Sequence, residues 1–208
     1  MAKATDIRII LADARSGKGQ GRAFDAAVLV LEDPRLVGQL VACLWDEDDV
    51  IAGRASNALE TVVAESPRIV ARYKEALLGL LAEAGPIKLR WHLALTVTGM
   101  KLSRSECGRV AEILNSWLDH RSSIVKTCAM QGLAELTLQD PSLNDGVLDL
   151  IRTLSRSGTP AMRARGRALV NQLEMGKRPT WVRVKQQARS VARLINCPRK
   201  VLHRKAHG

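Results

Sequence analysis

An all-α fold, an α-solenoid of about five stacked helical hairpins with a right-handed path, is what this sequence predicts, and three observations predict it. A six-position pattern recurs as Arg54-Ala55-Ser56-Asn57-Ala58-Leu59, Arg90-Trp91-His92-Leu93-Ala94-Leu95 and Lys126-Thr127-Cys128-Ala129-Met130-Gln131. Its basic openings stand 36 residues apart, Arg163 follows one residue late, and Arg22-Ala23 with Ala26-Ala27 reads as a shorter upstream copy. Self-similarity at that period marks a repeat array. Helix starts are also legible: Asp33-Pro34, Ser66-Pro67, Asp140-Pro141 and Thr159-Pro160 each set a capping side chain before a proline suited to a first turn. The composition agrees. Hydrophobic residues make up 46% of 208 but aromatics only 3%, so small and γ-branched side chains fill the core, as close helix contacts favour.

Apolar spacing between these signals predicts helices near 6–15, 22–32, 34–45, 50–65, 67–83, 87–100, 104–119, 123–138, 143–156, 160–175 and 181–195. Ser103-x-x-Glu106 has the form of a capping box. The helices alternate in type. Val41, Ala42 and Trp45 in a first helix correspond to Leu77, Leu78 and Leu81, to Ile113, Leu114 and Trp117, and to Leu150, Ile151 and Leu154. Polar links of a few residues, Asp46–Asp49, Ala84–Pro86, Asp119–Ser122 and Arg156–Thr159, close each hairpin and force its helices antiparallel. One hairpin cannot cover its own apolar stripe, so neighbours must stack into a continuous core.

A proline-started first helix, a polar link and a second helix opening hydrophobic-x-x-Arg resemble the HEAT-repeat family, nearest its phycobilisome-lyase-type HEAT-like variety. The resemblance covers roughly residues 22–175 in five copies, the first degenerate. It implies a superhelix whose second helices line a concave binding face. Gln131, standing where the pattern expects leucine, is a departure. Armadillo repeats, with three helices per unit, fit the two-helix units less well. The expected domains are a HEAT-like solenoid over 1–175 and a basic C-terminal helix and tail over 176–208.

Charge is unevenly spread. Net charge is +11, yet from Met175 onward there are ten Lys and Arg and no acid, leaving the first 174 residues at +1. Within 181–195, Trp181, Val184, Ala188, Val191, Ala192 and Ile195 form an apolar stripe edged by Lys185, Arg189 and Arg193, with Arg183 further round. Like charges four apart oppose a helix by roughly 0.2–0.5 kcal/mol per pair. The stripe is therefore expected to cap the last repeat, or the cations to meet an external anion.

No apolar run approaches the roughly 20 residues that span a bilayer, and the N-terminus lacks a secretion signal, so the expected location is cytoplasmic with no transmembrane segment. Cys43, Cys107, Cys128 and Cys197 are widely separated and read as buried thiols. The acidic link Asp46-Glu47-Asp48-Asp49 lacks the alternating ligands and central glycine of a calcium loop. Arg15-Ser16-Gly17-Lys18-Gly19-Gln20-Gly21-Arg22 lacks the GxxxxGK[ST] order of a phosphate loop and reads as a connector. His92, His120, His203 and His207 are scattered, without metal-pair spacing. HEAT-like folds include DNA glycosylases, but Trp91 is the only aromatic on an inner helix between Arg54 and Arg167, against what base extrusion wants. No enzymatic activity, catalytic residue, cofactor or metal is expected.

The expected function is non-enzymatic protein–protein binding by the concave face. Arg54, Arg90, Trp91, His92, Lys126 and Arg163 are the candidate residues there, and Arg183, Lys185, Arg189 and Arg193 those of the tail. The basic ladder can serve an acidic protein partner, or simply hold link carboxylates and helix-end carbonyls. The alternative is nucleic-acid binding through the tail and the inner ladder, by salt-sensitive phosphate contacts.

Overall fold

A computed structural model describes residues 6–13, 21–83 and 85–177. Its helices are α1 (Ile7–Ala12), α2 (Ala23–Glu32), α3 (Val37–Ala42), α4 (Asp49–Glu65), α5 (Pro67–Val70), α6 (Lys74–Glu83), α7 (Ile87–Thr98), α8 (Arg104–Ser116), α9 (Ser123–Leu136), α10 (Asn144–Ser157) and α11 (Pro160–Glu174). They pack in sequence as an all-α solenoid. In one row α2 lies on α4, α4 on α7, α7 on α9 and α9 on α11. The other row backs it hairpin by hairpin, with α3 on α4, α6 on α7, α8 on α9 and α10 on α11. The helices that carry Arg54, Arg90, Lys126 and Arg163 are thus consecutive neighbours.

The first helices of the hairpins are less regular than their spacing suggests. Residues 34–45 contain α-helix only at Val37–Ala42, flanked by tight 3-10 turns at Pro34–Leu36 and Cys43–Trp45, and residues 67–83 are interrupted by a 3-10 turn at Ala71–Tyr73. Prolines lead the turns at Pro34–Leu36 and Pro141–Leu143, and capping side chains hold them. Asp33 accepts from Arg35 N at 3.1 Å and Asp140 from Ser142 N at 3.1 Å. Thr159 caps α11, and Ser103 with Glu106 completes the capping box of α8. Ser66 departs from expectation: its hydroxyl makes no cap bond, and its carbonyl instead accepts from Ile69 N at 3.1 Å.

Inner helices are covered on both flanks, and their burial shows it. In α4 the residues from Ile51 to Val63 are buried apart from Arg54, while in α11 only Met162, Gly166 and Leu169 are. Among the described residues no hairpin follows α11. Trp45 corrects the core pattern: 52% exposed, it stands outside the apolar layer, whereas Trp117 at the corresponding place is 5% exposed. Cys43, Cys107 and Cys128 are buried. Among the described residues no helix is long and apolar enough to cross a membrane. The expected helix at 181–195 lies outside them.

Candidate binding face

Two carboxylates of the acidic link, Asp46 and Asp48, are engaged by the fold. Arg8 forks onto Asp46, Nε to Oδ2 at 2.6 Å and Nη2 to Oδ1 at 3.1 Å, and holds its carboxyl below the usual carboxylate range. Asp48 caps α4 through Val50 N at 2.8 Å. Arg54 turns to backbone carbonyls rather than to the link. Its Nη1 donates to Leu11 O at 2.6 Å and Asp13 O at 3.4 Å, so the guanidinium closes the C-terminus of α1, whose carbonyls need donors. Gly21, at φ 50°, lies directly beneath: a Cβ there would meet the Arg54 guanidinium at 2.5 Å. Glycine suits both the left-handed backbone and the close approach.

The rest of the ladder follows a related rule with variations. Arg90 Nε points to Gly85 O at 3.4 Å, and its guanidinium stands 5.2 Å from the ring centroid of buried Trp117, a cation–π contact. Arg163 Nη1 donates to Gly158 O at 2.8 Å. Three of these bases therefore fasten backbone carbonyls, in links or at a helix end. Lys126 is half-buried in the first turns of α9. Around the link before it, burial and then the charges of Arg90, Arg121 and Lys126 push the His120 imidazole below its ordinary pKa. Positive potential is concentrated at this edge of the face.

His92 is buried and its Nδ1 lies 2.5 Å from Glu60 Oε2, between α4 and α7. Its ring also packs on Trp91, centroids 4.4 Å apart. A second polar contact set crosses the next two seams. Thr98 Oγ1 lies 2.9 Å from Glu135 Oε2, Gln131 Nε2 donates to Glu135 Oε1 at 2.7 Å, and Arg165 of α11 donates to Gln131 Oε1. Burial lowers the Arg165 pKa, and Glu135 works against that shift. Gln131 is wholly buried, so its departure from leucine has a structural reason: it relays Arg165 to Glu135.

The structure brings Arg54, Trp91 and His92 to one cleft of about 200 Å³ between α4 and α7, shared with Val50, Asn57 and Lys88. Arg90, Lys126 and Arg163 lie outside it. Arg183, Lys185, Arg189 and Arg193 lie outside the described residues, as does the connector 14–20. Sequence reading missed Asn57 and Lys88, which are ordinary helix residues until α4 and α7 are set side by side. It also missed Glu60 and Glu135, whose signal was an acid in an otherwise apolar inner helix. Among the described residues no three His, Cys, Asp or Glu side chains gather as metal ligands would.

Geometry defines the class: an all-α solenoid with a polar, cation-edged inner row. Neither a family model nor a curated protein matches the chain. Among solved structures it is similar to the crystal structure of an engineered protein from the Northeast Structural Genomics Consortium, with a TM-score of 0.57 at 16% identity. The match covers 82% of this chain and 80% of that one, and it bears on the fold alone.

Proposed function

We propose that this is a HEAT-type repeat protein that acts as a non-enzymatic scaffold, using the row α4, α7, α9 and α11 to hold an acidic protein partner. The carrying observation is the positive cluster of Arg90, Arg121 and Lys126 around His120, where burial and like charges depress the imidazole pKa. A cluster of like charges attracts an anion from outside. Rigidity supports the reading too, since Arg54 ties α4 to the end of α1 and Arg90 packs on Trp117 of the next hairpin.

Charge reversal tests it. Arg90→Glu with Lys126→Glu should abolish capture of the partners that the wild-type chain retains from its native cell extract, with the helical content unchanged. Capture that survives the double reversal overturns the reading. The second reading, nucleic-acid binding, rests on the ten cations without an acid after Met175. It requires duplex DNA binding with a steep salt slope that is lost on deleting 176–208. Absence of binding at low salt removes it.

A further inference from the structure

We propose that the cleft between α4 and α7 receives a single carboxylate side chain of an acidic protein segment, with Asn57 and Lys88 as its recognition residues. This rests on the scaffold reading above and narrows it to one site and one chemistry.

Asn57 is the observation that points to a ligand. The residue is only 6% exposed, yet it lines the cleft. Its backbone carbonyl accepts from Thr61 Oγ1 at 3.2 Å, whereas its side-chain amide has no hydrogen-bond partner among the described residues. Polar groups of the interior are normally paired, and this amide reaches only the cleft for a partner. An amide N–H₂ that opens into a cleft between two cations offers donors to an incoming anion.

The walls are charged, and the Arg54 wall is set in advance. Arg54 is clamped by the Leu11 and Asp13 carbonyls, and its Nε is buried without a partner among the described residues. Lys88 faces it from α7. Its stem crosses Gly53 so closely that a Cβ there would come within 3.2 Å of Lys88 Cδ. Donors fixed before binding cost less entropy to engage. Apolar surface is present as well: the Trp91 ring, and Val50 at 43% exposure, can flank the methylenes of a glutamate. Glu60, one turn along α4 from Asn57, is already engaged by His92.

Size and charge select a carboxylate over a phosphate strand. A space of about 200 Å³ admits a side chain rather than a nucleotide with its sugar. A strand would also need successive free cations, and the next ladder base, Arg90, is turned to Gly85 O and Trp117. One planar monoanion can accept from the Asn57 amide and the Lys88 ammonium together.

The test uses the full-length, nitrogen-15-labelled chain and three probes: a tryptophan-free Glu-rich decapeptide, its all-Gln counterpart, and a ten-nucleotide oligothymidylate. Signals of the Trp91 indole N–H and the Asn57 amide are assigned with Trp91→Phe and Asn57→Leu. The Glu peptide should move both signals and the Gln peptide neither. Asn57→Leu and Lys88→Glu should each weaken the Glu peptide by about tenfold or more. Lys88 is exposed, so its variant keeps the test valid should Asn57→Leu fail to fold. Unmoved signals, undiminished affinity of Lys88→Glu, or stronger shifts with the oligonucleotide overturn the proposal. If Arg90→Glu with Lys126→Glu loses the Glu peptide while Lys88→Glu keeps it, the scaffold reading stands and the cleft proposal alone falls.

Discussion

His92 Nδ1 and Glu60 Oε2 meet 2.5 Å apart across the seam of α4 and α7, with both side chains 6% exposed. Each depends on the other, because a buried polar or charged group without its partner costs far more than the pair gains. Glu60→Ala is expected to destabilise the chain by about 1–3 kcal/mol in urea unfolding, the range for a buried polar group left without its partner. The double change Glu60→Leu with His92→Leu should recover much of that loss. A cycle with no coupling between the two sites would refute the structural role.

Acid should weaken the outer row at a definite place. Lys74 Nζ lies 2.6 Å from Glu106 Oε1, and Ser103 N donates to Glu106 Oε2 at 2.5 Å. The Lys74 bond first, and the Ser103 backbone next, hold the Glu106 carboxyl down at about 2. A folded-state pKa below the unfolded one stabilises at pH above about 4.5, and that contribution is lost as pH falls toward about 2. The expected loss is roughly 1–2 kcal/mol, discounted because Lys74 is partly solvated. Glu106→Gln should lower stability at neutral pH and flatten this part of the acid profile, as measured by thermal melts between pH 7 and pH 2.

Restoring the repeat pattern should harm the protein. Gln131→Leu puts the expected leucine into a wholly buried position. It also takes an acceptor from Arg165 and a donor from Glu135. The loss is expected at about 1–3 kcal/mol, the range for a buried group deprived of its partner. Calorimetry showing a higher melting temperature for Gln131→Leu would contradict the relay.

Close approach of the last hairpin depends on Gly166. A Cβ there would come within 2.8 Å of Ser155 Cβ and 3.0 Å of Ser155 Cα, so backbone must give way. Gly166→Ala should destabilise by about 1–3 kcal/mol despite its better helix propensity. Amide exchange should speed up in α10 and α11 before α4 or α7. Uniform exchange rates across the chain would count against that local origin.

What could be read in advance, and what could not, divides by the range of the forces involved. Helix positions, the capping box at Ser103 and Glu106, and the proline-led starts at Asp33, Asp140 and Thr159 follow from local chemistry. So does the inner row, since the 36-residue period places Arg54, Arg90 and Lys126 on equivalent helices. Trp45 and Trp117 show the limit. The same apolar position is exposed in one hairpin and buried in another, because burial depends on which neighbour covers it.

The sequence by itself determined the hairpins and their order, through periodic apolar spacing and caps that act within a few residues. Only the tertiary structure decided that Arg54 closes α1, that His92 belongs to Glu60, and that Gln131 serves Arg165. It also decided that Asn57 and Lys88 share one cleft. Those pairings join residues 31 to 43 positions apart, where side-chain reach across a packed seam, rather than any local preference, selects the partner.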